Sequence, residues 1–438
     1  MRFSTALLFG FALLSGSAFA QAPATHAKVV VISLDGFPAY ALEDSKLPIP
    51  TLRELIKNGV SAPMTAINPT VTWPNHTTMV TGVRADEHGV LTNGTITHIG
   101  VHTGSWPPVK VEPLIEKEKM VHVPTVYDAA YAAGLTTAQV DWVAINKART
   151  ITWAFSEWAS ADGPLEREML AQGVISPSDL QGFEKANILF RDQIWTRAAA
   201  YLIKQHQPDL LLFHLLSLDS VHHQYGPNTL AGRAAIAFLD SCVEKIVAAV
   251  HEAGLADRTT FLIVADHGFK AYTKIVRPGN ALDAAGLKGK AYVMPEGGTA
   301  FVYIDPAQAA ELVPQVRRAL EGVEGIDRII GVEEYGALGL PRPDQDPQFG
   351  QLMLSAKSGY SFSGATGGPV TAEAPQLSGS HGYLASDPDM NPIFIAAGAG
   401  VRAGVKLDRV SNIDLAPTIA RLLGVSLPTA KGKPIALK

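Results

Sequence analysis

A single cysteine, Cys242, stands in a chain of 438 residues, so no intrachain disulfide can brace the fold. It falls within the apolar helical pattern Ala234 to Val250, which makes it a small buried hydrophobe rather than a reactive thiol. Long apolar runs are also scarce, and none reaches the ~20 residues that span a bilayer. Basic runs are missing too. The 36 Lys and Arg stand against 41 Asp and Glu, a formal charge of -5, and nothing in that balance serves a nucleic-acid backbone. Internal repeats and low-complexity tracts do not occur. What remains is 47% hydrophobic and 18% charged, the composition of a globular chain with a large core. Its stability must come from that core and from any bound metal.

The N-terminus has its own pattern. Arg2 precedes the apolar run Ala6 to Leu14, and Ser15 to Ala20 (SGSAFA) closes it with small residues in an A-x-A-like order. This predicts a secretory signal over residues 1–20, cut after Ala20. An anchor would need a longer run, so residues 21–438 are expected to be exported, periplasmic or secreted, with no membrane anchor after cleavage.

Strand-like and helix-like segments alternate along the rest. Strands are predicted at Lys28 to Leu34, Thr136 to Val140, Asp209 to Leu218, Thr259 to Ala265 and Pro392 to Ala397. Helices are predicted at Pro50 to Asn58, Thr125 to Ala133, Glu184 to Gln205, Gly232 to Ala253 and Ile413 to Leu423. Near-continuous apolar strands separated by helices imply an α/β fold, a mostly parallel sheet covered on both faces. The run NPTVTWPNHTTMVTG, residues 68–82, breaks that rhythm with two prolines and five threonines. It reads as a polar loop and not as an element of the core.

Three apolar strands lead to a carboxylate: Asp35, Asp219 and Asp266. In open α/β sheets the ligand crevice lies beyond the carboxyl ends of the strands, so separate parts of the chain would deliver these groups to one rim. Histidines follow two of them, at His222-His223 and at His267, while His381 sits in a small-residue loop. Carboxylate and imidazole without thiolate suit Zn²⁺. His222 competes with His223 for the ligand role.

These residues carry a family resemblance. SLDG (33–36), TWPNH (72–76), TGVRADEHGVLTN (81–93), DSVHHQYGP (219–227), ADHG (265–268), SHGY (380–383) and NIDLAPTIARLLG (412–424) occur in the order found in nucleotide pyrophosphatase/phosphodiesterases of the alkaline phosphatase superfamily. The resemblance implies an alkaline-phosphatase-like three-layer α/β/α sandwich over residues 21–438, with a small α+β cap insert at about 270–375. It assigns Asp219, His223 and His381 to one zinc, and Asp35, Asp266 and His267 to a second. Thr72 would bridge to that second ion as nucleophile, and Asn93 would hold a phosphoryl oxygen together with a backbone N–H. Trp73 takes the position of an aromatic that stacks on the leaving nucleoside. The implied partner is a small phosphate diester of nucleotide type, cleaved through a phospho-threonine.

The chain departs from the family where a Pro and a Tyr commonly precede the first zinc-binding Asp, holding Leu218 and His214 there. His214 either touches substrate or is satisfied inside the sheet. Two other functions stay open at this point: a zinc phosphomonoesterase, drawing a cation from Lys147-Ala-Arg149, and a non-catalytic binding protein that kept the fold. A sulfatase is excluded, since no Cys-x-Pro-x-Arg loop surrounds Thr72. A second insert, His98 to Val121, reads as a loop flanking the pocket.

Overall fold

The structure, a computed structural model, describes residues 26–99 and 109–438. The expected signal segment, residues 1–20, lies outside the described residues. The central sheet contains β1 (Lys28–Leu34), β2 (Gly59–Thr65), β3 (Thr137–Val140), β4 (Trp153–Phe155), β5 (Leu210–Leu215), β6 (Thr259–Val264), β7 (Ile393–Gly398) and β8 (Val405–Lys406). Their spatial order is β8-β2-β7-β6-β1-β5-β3-β4, with Val410–Ser411 also paired to β2. β1 sits in the middle, and its Ile32 faces Phe213 of β5 and Ile263 of β6 in parallel register. β7 alone runs against its neighbours.

The run KVVVISL is buried on both faces, and its alternate side chains feed two cores. Val30, Ile32 and Leu34 meet Leu52 of α1 (Pro50–Lys57), Trp195 of α4 (Ile188–Gln205) and Leu239 of α6 (Leu230–Glu252). Val29 and Val31 meet Met79 of α2 (Thr72–Thr81), Tyr127 of α3 (Val126–Ala132) and Ile419 of α7 (Leu415–Leu423). The result is the expected three-layer α/β/α sandwich. Cys242 is fully buried on α6, and burial pushes its thiol up to about 11, an inert group.

Several expectations need correction. Residues 72–81 form a helix, α2, and every one of them is buried. The polar side chains are tolerated because they are spent locally. Thr77 and Thr81 donate to the carbonyls of Trp73 and Thr77, each at 2.8 Å. The Asn75 amide accepts from the Ile67 N–H at 2.8 Å and donates to the carbonyls of Pro69 and Val71 at 2.9 and 3.0 Å. A hydrophobic-pattern reading misses such a helix, since its polar groups are satisfied by backbone rather than by water. β2, Gly59–Thr65, is a further strand, absent from those expected.

The segment Asp209 to Leu218 also divides. Its strand ends at Leu215, and α5 (Ser217–Tyr225) begins where the buried Asp192 carboxylate accepts the Leu216 and Ser217 N–H groups, both at 3.0 Å. α4 starts at Ile188 rather than Glu184 because Asn187 caps the Leu189 N–H at 2.9 Å. The segment expected as a loop at 98–121 contains ordered structure where it is described. Thr95–Ile99 pairs antiparallel with Val109–Glu112, and Lys117–Met120 is a helical turn.

Residues 270–375 hold a separate antiparallel sheet, ordered Ala291–Glu296, Thr299–Ile304, Leu352–Ala356, Ile326–Gly331. The helix Ala309–Leu320 closes its core with Leu312, Val316 and Leu320. Among the described residues no helix is long and apolar enough to cross a membrane.

Asp192→Ala removes both N-terminal acceptors of α5. Equilibrium unfolding should show a loss of about 2 kcal/mol. An unchanged midpoint would remove Asp192 from this role.

Candidate active site

β1, β5 and β6 run parallel, so the residues after them emerge at one edge of the sheet. Asp35 follows β1 directly, and Asp266 and His267 lie just past β6. Asp219 stands in the first turn of α5 with His223 one turn later, a spacing that puts both on one helix face. His381 follows the strand Thr371–Ser380. Gly36 turns the chain at φ 67, where a Cβ would lie 2.9 Å from the Phe269 ring.

Two three-residue groups result, Asp219/His223/His381 and Asp35/Asp266/His267, with ligand-type atoms within 4.8 Å of one another in each. His223 Nε2 is 3.4 Å and His381 Nε2 3.8 Å from Asp219 Oδ1. His267 Nε2 is 3.5 Å from Asp35 Oδ1 and 3.2 Å from Asp266 Oδ2. The groups adjoin, since the His267 and His381 rings stack at 3.8 Å.

The imidazoles are aimed by their far nitrogens. Nδ1 of His223, His267 and His381 faces the carbonyls of Gly379, Gly268 and Thr70 at 3.2, 3.0 and 3.0 Å. A carbonyl only accepts, so each Nδ1 carries the proton and each Nε2 turns a lone pair inward. Three buried carboxylate oxygens, Asp35 Oδ1, Asp219 Oδ1 and Asp266 Oδ2, have no hydrogen-bond donor. Bare lone pairs from both residue types converge there, which fits divalent cations.

The electrostatics agree. Burial, with Asp266 and Asp219 nearby, holds the Asp35 carboxyl well above its ordinary range. Burial would also raise Asp219, but the imidazoles of His223, His381 and His267 outweigh it and hold that carboxyl low. Burial pushes His267 down to about 4 and His381 to about 3, so both rings are neutral at pH 7.

Thr72 is the first residue of α2, and its Oγ1 lies 3.5 Å from His267 Nε2. Asn93 accepts the Trp73 N–H at 3.0 Å, and Pro74 has no N–H to give. A cavity of about 280 Å³ opens beside them, lined by Thr72, Trp73, Asn93, His223, His381 and Trp158 among others. Trp73 is mostly buried against Val90, Met120 and Val143, presenting only part of its ring to the cavity.

His214 lies on β5 and also lines the cavity. Its Nε2 contacts Asp35 Oδ2 at 3.0 Å, and its Nδ1 donates to the Asp141 carbonyl at 3.0 Å with Asp141 Oδ2 at 3.1 Å. Both nitrogens face oxygen atoms, an arrangement that favours the charged ring between two acids. Burial disfavours that charge, but Asp141 and Asp35 raise its pKa well above the usual value. Neither nitrogen is left for a substrate. His222 points away from the cluster, packing on Phe269, and burial lowers it to about 4. His223 is the member of the pair that joins the Asp219 group.

Sequence reading missed Trp158, whose ring is partly exposed on the cavity wall, and the Asp141 partner of His214. No motif marks either; the only local signal is a large aromatic in a polar loop. Lys147 and Arg149 are exposed, and Lys147 reaches Glu116 at 3.4 Å rather than Thr72.

The family described as type I phosphodiesterase / nucleotide pyrophosphatase matches residues 29–384. Human ectonucleotide pyrophosphatase/phosphodiesterase family member 5 is 21% identical over 405 residues, 91% of this chain and 75% of that protein. A bis(5'-adenosyl)-triphosphatase of Bos taurus is 22% identical over 438 residues, covering 97% of this chain and 84% of its own length. The solved structure of murine ectonucleotide pyrophosphatase/phosphodiesterase 5 superposes with a TM-score of 0.68 at 19% identity, covering 93% of this chain and 97% of that one. An inactive form of the same murine protein, in complex with AMP, matches equally well.

His214→Phe leaves Asp35 and Asp141 buried without their shared partner. Urea unfolding of the chelator-treated protein should lose roughly 3 kcal/mol. A loss below about 1 kcal/mol would show that the clamp contributes little to the fold.

Proposed function

Because the chain belongs to the type I phosphodiesterase / nucleotide pyrophosphatase family, we propose that it is an exported two-zinc diesterase working through a phospho-threonine. Membership makes it a metal-dependent phosphoric diester hydrolase. One observation carries the finer reading. Among the described residues lining the cavity at Thr72 there is no Lys or Arg, while Asp141 and Glu157 are present. A phosphate monoester carries nearly two charges at neutral pH and draws on cationic side chains; a diester carries one. The lining therefore favours a diester and disfavours the phosphomonoesterase alternative.

The side chains have separable tasks. Asp219, His223 and His381 would hold one ion, and Asp35, Asp266, His267 and Thr72 the other, a donor set of oxygens and imidazoles that suits zinc. When bound, the ions supply positive charge that acidifies a hydroxyl and offsets charge on the phosphoryl group. Thr72 Oγ1 attacks phosphorus in line, and the P–O bond to the leaving group breaks as the new bond forms. The Thr72 N–H and the Asn93 amide NH₂ donate to the phosphoryl oxygens, fixed before reaction by α2 and by the Trp73–Asn93 bond. Water then cleaves the phospho-threonine and returns the hydroxyl.

A nucleotide leaving group is supported by the aromatic walls Trp73 and Trp158 and by the AMP bound to the murine relative. Export is supported by the leader pattern of residues 1–20. Residues 270–375 act as a cap beside the single catalytic domain.

Hydrolysis of bis-p-nitrophenyl phosphate should exceed that of p-nitrophenyl phosphate by at least about tenfold in kcat/KM. A monoester preference would overturn the reading. Metal analysis should give about two zinc per chain, released by EDTA together with activity. Thr72→Ala should keep most of the metal while kcat falls by ~10³ or more. Substantial turnover in that variant would remove Thr72 as the nucleophile.

A further inference from the structure

The tip of one cap hairpin reaches the loops that carry His381 and Asn93. The strands Ala291–Glu296 and Thr299–Ile304 are joined by Gly297-Gly298, and this tip is wedged between two loops of the catalytic domain. On one side lies the loop of His381. The Gly298 N–H donates to the His381 carbonyl at 2.8 Å. The approach is too close for side chains: a Cβ on Gly297 would lie 2.4 Å from that same carbonyl oxygen, and one on Gly382 would lie 1.8 Å from the Glu296 carbonyl oxygen.

On the other side lies Asn93. Thr92 donates its hydroxyl to Glu296 Oε1 at 2.7 Å, a bond linking positions 204 residues apart. Asn93 itself is exposed at the apex of a tight turn, closed by the Gly94 N–H to Thr92 carbonyl bond at 2.8 Å. Its amide is oriented by the Trp73 N–H, but its main chain has few other anchors. Gly94 packs against Glu112, where a Cβ would meet the carbonyl oxygen at 2.9 Å. Gln348, also from the cap, accepts the Ile96 N–H at 2.9 Å. The turn carrying Asn93 is thus held from the cap at two points, and Glu296 is the one adjacent to Asn93.

We propose that the tip of this hairpin sets the position of the phosphoryl-binding groups, with Glu296 as the positioning residue for Asn93. Glu296 lies outside the residues lining the Thr72 cavity, so it acts through Thr92 and not on substrate. This rests on the reading of Asn93 as a phosphoryl-oxygen donor. A donor displaced by even a fraction of an ångström loses transition-state stabilisation while ground-state binding changes little. The cap would then have a part in the chemistry besides covering the site.

Steady-state kinetics on five zinc-loaded variants tests this, with zinc content and unfolding midpoint measured on each. Glu296→Ala should lower kcat about tenfold and change KM less than about twofold, with two zinc retained. Glu296→Gln should recover most of the loss, because its amide oxygen still accepts from Thr92. Thr92→Val should reproduce the loss, and it decides the matter if Glu296→Ala does not fold. The double variant Glu296→Ala/Asn93→Ala should be no slower than Asn93→Ala alone, since Glu296 has nothing left to position. Full kcat in Glu296→Ala or Thr92→Val, or additive losses in the double variant, would overturn the proposal. Full kcat in Asn93→Ala would instead overturn the role given to Asn93, and the proposal with it.

Discussion

Three carboxylates pressed together out of water are the constraint around which this molecule is organised. Asp35, Asp219 and Asp266 are buried at one rim, and each leaves an oxygen without a donor. Like charges this close in a low dielectric repel strongly unless something cationic lies between them. The surrounding protein supplies only part of the compensation. His214 takes one oxygen of Asp35, and the Gly36 N–H takes one oxygen of Asp266 at 3.1 Å. The oxygens that remain are the ones that point at the ligand-type nitrogens, so the unrelieved charge and the metal-binding geometry are one feature.

Much of this was legible because it follows from short-range rules. KVVVISL and TTFLIV read as strands since both their faces are covered, and the residues ending them read as ligands since parallel strands share a rim. What escaped was whatever depends on distant partners. α2 looks like a loop until Thr77 and Thr81 are seen to bond carbonyls one turn back and Asn75 to bond three backbone groups of residues 67–71. α5 begins inside an apolar run because a carboxylate on another helix, Asp192, caps it. His214 could not be assigned to sheet or pocket until Asp141 appeared beside it. In each case the deciding group lies far away in sequence or satisfies itself, and neither leaves a periodic trace.

Thr72 gains from the oddity of its helix. It opens α2, at the end of a helix where backbone N–H groups go unpaired within the helix. Its neighbours remove the competing donors, Pro74 by having none and Trp73 by giving its own to Asn93. A helix with ordinary apolar packing could not sit here, because the same ten residues must also bond the loops at Ile67, His88 and Asn412. The buried polar composition of residues 72–81 is therefore the means by which one hydroxyl is held against a crowded acidic centre.

The antiparallel strand β7 has a consequence for how the chain comes into being. Residues 393–398 lie between β2 and β6, so β2 cannot join the rest of the sheet until nearly the last tenth of the chain is present. α2 follows β2 and depends on Asn412 as well, so Thr72, made early during synthesis, reaches its place only after the C-terminal segment arrives. Pairings this distant in sequence form late and slowly. A chain cut before residue 393 would carry Asp35, Thr72, Asp219, Asp266, His267 and His381 yet have no sheet position for β2 and no Asn412 for α2, so the group could not assemble.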